Sequence, residues 1–190
     1  MIYTQKIQKA IKFSAKTHNE YQQQTRKGKV IPYIIHPLTV GIILAKAGAD
    51  EDVIAAGILH DTVEDSVEAK KVTPKMLTER FGQNVSDLVM SVTEKNKALS
   101  WETRKREALA HIVHFSHDSL LLKSADILSN FLEVIDDYAR YGEKVFERFK
   151  GSREKMLKHS LDSIGAILAR WPKNPLAKDL KKLEKEIKSF

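Results

Sequence analysis

The chain has 190 residues, enough for one domain with its own core. It holds no cysteine, which excludes disulfides and thiolate metal sites, and it shows neither a bilayer-length apolar run nor a secretory signal, so the cytoplasm is the expected compartment. Net charge is +7 with a pI near 9.4, a balance that favours anionic partners. The excess sits in an alternating Lys/Glu tail over 178–188 and in 148–158, which read as solvated helix faces, so neither nucleic acid nor membrane is an expected partner.

In chain order, Tyr3, Ile7, Ala10, Ile11, Ser14 and His18 recur at helical spacing and predict an amphipathic helix near 2–18. The polar stretch 21–33 holds Arg26-Lys27-Gly28 and Pro32 and reads as a loop. His36-Pro37 opens a second helix, which ends at Gly48. Asp50 caps a third, with Glu51 and Asp52 in its first turn, and that helix delivers His60-Asp61. Thr73-Pro74 starts a short helix that stops at Phe81-Gly82, and Val85 to Val92 mark another. The polar link 94–99 leads to Ser100, the cap of a helix from Trp101 to about His114. A strongly apolar helix follows, with Leu121, Ala125, Leu128, Leu132 and Ile135 on one side and Asp126 embedded in it. Helical character continues over 138–150 to Gly151. Leu157, Leu161, Ile164 and Leu168 define the next helix, ended by Trp171-Pro172, and Pro175 opens a last one. No period-2 strand and no internal repeat stand out. The expected fold is all-α, one domain over 1–190 with a core of about 5–155 and C-terminal helices over about 156–190.

The chemistry concentrates in 54–66, an apolar helical run that ends in His60-Asp61 and then Glu64-Asp65. An imidazole beside three carboxylates is costly to bury unless a metal or a reaction needs them. His60 and Glu64 are four apart, as are Asp61 and Asp65; a continuing helix puts each pair on one face, and a helix that unwinds after Asp61 lets all four converge. His36 alone reads equally as a helix-end or core histidine. Asp126 is a poor core residue, and its structural alternative is a buried salt bridge to Lys123, an arrangement that contributes little net stability. Together His36, His60, Asp61 and Asp126 make a two-His, two-carboxylate set that suits Mn, Fe, Co or Zn. His111, His114 and His117 have helical spacing but lack interleaved carboxylates and read as surface groups. Trp101 and Trp171 read as core or helix-boundary residues, and Arg104-Lys105 as either a phosphate contact or a solvated face.

The order His…His-Asp…Asp resembles the HD-domain phosphohydrolase superfamily. The segments Arg26-Lys27-Gly28, 32–38, 55–65, Phe81-Gly82, Val92-Thr93 and 123–126 with Asn130 resemble the hydrolase domain of RelA/SpoT-type proteins, over about 5–155. With no synthetase or regulatory region in the sequence, the chain is similar to the stand-alone small alarmone hydrolases, the metazoan SpoT homologue among them. The resemblance implies a compact helical HD-domain fold and one Mn²⁺ held by His36, His60, Asp61 and Asp126. It implies that Glu64 and Asp65 position and activate the attacking water. The implied reaction, part of the stringent response, removes the 3′-pyrophosphate of guanosine 3′,5′-bis-diphosphate, (p)ppGpp. Arg26 is the implied contact to the base, Lys27 to phosphate, Asn130 to the guanine edge and Tyr138 to the nucleoside side.

The segment Ile127-Leu128-Ser129-Asn130 lacks the family's basic residue and ring at 127 and 129, and Phe131-Leu132-Glu133 lacks its Arg. This departure keeps a second reading open, an HD phosphohydrolase of another nucleotide such as ppApp, NADPH or a nucleoside monophosphate. A silent nucleotide-sensing module is the non-enzyme alternative, and the intact ligand set and Glu64-Asp65 pair count against it. Oligomeric state is left open.

Overall fold

The computed structural model describes residues 3–94, 96–149 and 151–190; the expectations that touched Ile2, Lys95 and Lys150 lie outside them. Among the described residues the regular structure is helical, and Thr25 meets Pro32 in an isolated antiparallel bridge. The chain divides into two compact units, Met1–Lys95 and Asn96–Phe190.

In the first unit, α1 spans Gln5–Ala15, capped by Thr4, whose side chain accepts from the Ile7 amide. The helical pattern expected to run to residue 18 does so, but in a different winding: Lys16–Tyr21 is a π-helix. α2 is Ile35–Lys46, so it begins two residues before Pro37 rather than at it, and Gly48 follows with φ +77°, a left-handed stop. α3 is Glu51–Leu59. Asp50 holds the position before it but its side chain makes no capping bond. Its acidic first turn serves instead as a clamp: Asp52 accepts from Lys6 at 2.5 Å and from Asn84 at 3.1 Å, and Glu51 from Thr4. α4 is the single turn Thr62–Asp65, α5 is Pro74–Phe81 and α6 is Gln83–Val92. α5 has Thr73 as its cap and Pro74 in its first turn, as its sequence predicts.

α3 is buried along nearly its whole length, from Val53 through Leu59, because α1, α2 and α6 all pack on it. The approach of α2 is close: a Cβ on Gly41 would stand 2.7 Å from Cγ1 of Ile58. A side chain at that crossing would have to displace Ile58, and the two helices that meet there lead to the site: His36 lies five residues before Gly41 and His60 two residues after Ile58.

In the second unit, α7 is Trp101–His111, α8 is His117–Tyr141, α9 is Arg153–Arg170 and α10 is Ala177–Ile187. Ser100, Ser116 and Ser152 cap the first three. On α8, Leu121, Ala125 and Leu128 are buried as expected, whereas Leu132 is 51% exposed; a 25-residue helix drifts relative to a fixed apolar repeat. α8 ends at Tyr141 because Gly142 takes φ +60°, and 142–148 continues as a 3₁₀ segment rather than an α-helix. α10 starts at Ala177, two residues after Pro175. His111, His114 and His117 are exposed, as read from their spacing. Trp101 and Trp171 sit half-buried beside His159 and His117.

Candidate metal centre and active site

The site begins where α3 breaks. α3 ends at Leu59, and the carbonyls freed there are taken by side chains: Thr62 Oγ1 donates to Leu59 O and His60 Nδ1 to Gly57 O, both at 2.7 Å. The helix therefore unwinds across His60-Asp61 and restarts for one turn, which gathers His60, Asp61, Glu64 and Asp65 at one corner. His60 and His36 are buried, at 5% and 2% exposure.

The bond from His60 Nδ1–H to a carbonyl fixes the tautomer and leaves the lone pair on Nε2. That Nε2 lies 3.2 Å from His36 Nε2, and both lie near Asp61 Oδ2, at 3.1 and 3.6 Å. Two donors about 2.1 Å from one ion at right angles stand about 3 Å apart. The imidazole pair and the carboxylate thus fit a divalent cation with mixed N/O preference. Asp61 is itself oriented by Tyr33, whose hydroxyl donates to Oδ2 at 2.5 Å. Burial, then the charges of Asp61 and Asp65, push the Tyr33 hydroxyl well above its ordinary pKa, so it stays a donor.

Glu64 is half-buried and accepts from the Glu94 amide at 3.2 Å. Burial pushes its carboxyl up to about 7, helped by the charges of Asp61, Glu94 and Asp65. Asp65 accepts from Gln24 Nε2 at 2.9 Å. Arg26 sits with its guanidinium 5.3 Å from the Tyr33 ring centre, in a turn closed by Arg26 N to Ile31 O, and Lys27 is exposed on that turn.

In the second unit, Asp126 is half-buried and accepts from Lys123 at 2.8 Å and from Asn130 at 2.7 Å. The salt bridge weighed against metal ligation is therefore formed, and Asn130 is bonded to the carboxylate one turn before it. Tyr138 packs its ring on Phe146 and Phe190 and donates to Glu143 at 3.1 Å.

Reading the sequence did not single out Tyr33, Glu94, His18 or Gln24 as site residues. In the sequence Tyr33 belongs to the apolar run before His36, Glu94 to a polar link, His18 to an amphipathic stripe and Gln24 to a loop. Only the fold brings them beside Asp61, Glu64 and Asp65.

A family profile described as an HD domain matches residues 10–156. The chain belongs to the HD-domain family. This HD domain is 32% identical over 170 residues to the guanosine-3′,5′-bis(diphosphate) 3′-pyrophosphohydrolase MESH1 of Xenopus tropicalis, covering 82% of this chain and 90% of that protein. It is 34% identical over 131 residues to the guanosine-3′,5′-bis(diphosphate) 3′-pyrophosphohydrolase of Aquifex aeolicus, covering 67% of this chain but 18% of that longer protein. The solved structure of a metazoan SpoT orthologue superposes with TM-score 0.77 at 24% identity, covering 97% of this chain and 96% of that one. At that identity the likeness speaks for the fold, the all-α HD-domain fold expected from the sequence.

Proposed function

We propose that this HD domain is a Mn²⁺-dependent hydrolase that removes the 3′-pyrophosphate of guanosine 3′,5′-bis(diphosphate) and its pentaphosphate form, giving GDP or GTP and pyrophosphate. The observation that carries the reading is the pair of imidazole Nε2 atoms closing with Asp61, flanked by the two carboxylates Glu64 and Asp65. The names of its relatives, curated at about a third identity, point to the same reaction.

His36, His60 and Asp61 would hold the ion, and Asp126 would supply the fourth ligand. Bound there, a divalent cation lowers the pKa of water toward neutral and offsets charge on phosphoryl oxygens. Glu64 is the proposed proton acceptor: its raised proton affinity places it near neutral pH, where a general base works best. Asp65 is assigned to orienting the attacking water. Tyr33 holds Asp61 in place for the ion. Arg26 is assigned to the base, Lys27 to a second phosphate, Asn130 to the guanine edge and Tyr138 to the nucleoside side. The substrate is a small nucleotide rather than nucleic acid. No described helix is long and apolar enough to cross a membrane, and the cytoplasm is the proposed compartment.

The substituted segment 127–133 is the reason to test substrates in parallel. Purified protein loaded with Mn²⁺ is assayed against ppGpp, pppGpp, ppApp, NADPH and nucleoside monophosphates. Release of pyrophosphate from ppGpp and pppGpp is expected. Intact guanosine substrates alongside hydrolysis of another member of the panel would replace this reading with the broader HD-phosphohydrolase one.

A further inference from the structure

His18 is fully buried, yet only one of its ring nitrogens has a partner. Nδ1 lies 2.9 Å from Gln24 Oε1, and Nε2 has none. An unsatisfied polar atom in a closed interior costs about 1–3 kcal/mol, so an apolar residue would suit packing better. What the ring supplies is its one bond. Gln24 has a single amide carbonyl, and its NH₂ is committed to Asp65 Oδ2 at 2.9 Å. The carbonyl therefore faces His18 and must accept, which places the proton on Nδ1. A second proton would put an N–H on the unpartnered nitrogen, and burial holds the ring's pKa below its ordinary value, so the ring is neutral.

The backbone is wound to make this contact. His18 lies inside the π-helix Lys16–Tyr21, a local distortion found mostly at functional positions. Gln23 takes φ +48°, a conformation strained for a residue with a Cβ. Gln24 is then pinned on both sides, its amide donating to His18 O and its carbonyl accepting from Tyr33 N, each at 2.9 Å. The His18 ring also tilts against Tyr33, centroids 5.0 Å apart, and Tyr33 holds Asp61.

We infer that His18 and Gln24 are positioning residues: His18 fixes the Gln24 amide, and Gln24 holds the Asp65 carboxylate in its working orientation. The inference rests on the role proposed for Asp65. An uncharged donor orients that carboxylate without neutralising it, which suits a group that must act on water.

The test compares Gln24→Met, His18→Phe, His18→Asn and Asp65→Asn in the Mn²⁺-loaded protein with ppGpp. Gln24→Met and His18→Phe are expected to lower kcat by about 10- to 100-fold, the scale of lost outer-shell partners, with KM and metal content near wild type. His18→Asn, which keeps a donor, should recover part of the loss. The double variant His18→Phe/Gln24→Met should be no slower than Gln24→Met alone, since members of one network are not additive. Nitrogen-15 NMR of the metal-free protein should show His18 as the neutral Nδ1–H tautomer. Gln24→Met at wild-type kcat while Asp65→Asn is inactive overturns the relay alone, as does an Nε2–H tautomer. Asp65→Asn at wild-type kcat overturns the reading of Asp65 and the relay with it.

Discussion

The two units handle buried charge in opposite ways. In the second, Asp137 is 4% exposed and is met by Arg148 at 2.5 Å, beside the apolar cluster of Val134, Val145 and Phe146. A carboxylate and a guanidinium taken out of water together cancel, and the pair ties α8 to the 3₁₀ segment that follows. In the first unit Asp61, Glu64 and Asp65 are set beside one another and beside two imidazoles, and burial, then the charges of Asp61, Glu94 and Asp65, hold the Glu64 carboxyl at about 7. Charge that a fold neutralises serves architecture. Charge that a fold concentrates calls for a cation or a proton to complete it.

The sharpest way to break that contrast is at the imidazoles. His60→Ala removes a donor whose loss cannot be filled from the backbone, so metal content should fall to the background of elemental analysis. Turnover should drop by well over about 100-fold, beyond what loss of a mere supporting partner costs. A variant that keeps stoichiometric metal would remove the first unit's site from the comparison.

Arg148→Met tests the other side. It takes the guanidinium away from the buried Asp137 carboxylate, a change that costs about 3–5 kcal/mol. Thermal melting should fall by on the order of 10 °C, while metal content and turnover per folded molecule stay at wild-type values below the melt. Lost metal at full folding would show that the ion pair is not purely architectural.

Glu64→Gln keeps shape and loses basicity. Turnover should fall about a hundredfold or more, with bound metal unchanged; unchanged turnover would assign the proton to another group. The same residue gives a pH signature in the metal-free protein. Its folded pKa, about 7, lies above the ordinary 4.5, so the folded state binds the proton more tightly. That contribution is complete below about pH 4.5 and is lost as pH rises to about 7, at most about 3 kcal/mol. Denaturant titrations of chelator-treated protein from pH 4.5 to 7.5 should show the decline, and Glu64→Gln should flatten it.

The smallest effect is expected at Gly41→Ala. The added Cβ meets Ile58 at 2.7 Å, and overpacking of this kind costs about 1–3 kcal/mol. Because α2 and α3 carry His36 and His60, calorimetry should find weaker Mn²⁺ binding as well as lower stability. A loss of stability with unchanged affinity would mean that the crossing does not set the imidazole spacing.

Much of this was legible in the residues. Ser100 and Thr73 cap helices as the sequence predicts, because a hydroxyl beside an orphan amide is a local matter. The helical class and the pairing of imidazole with carboxylate follow from periodicity and from the cost of burying polar groups, whereas the sequence left open whether the helix continues past Asp61, and the structure ends it at Leu59. Ends set by several weak preferences were less legible: α2 starts before Pro37 and α10 after Pro175.

What the sequence by itself determined is the inventory: an all-helical chain, two histidines and a run of carboxylates too expensive to bury idly, and the words that place them in the HD-domain family. What only the tertiary structure decided is which distant groups answer them. Tyr33 reaches Asp61, Glu94 N reaches Glu64, and Gln24 reaches Asp65 across 41 positions of sequence. None of these has a periodic or local signal, because a hydrogen bond depends on a separation of about 3 Å. For Tyr33 and Asp61 that separation depends on how α2 packs on α3, for Glu94 and Glu64 on where α6 ends beside α4, and for Gln24 on a π-turn that local propensity does not encode.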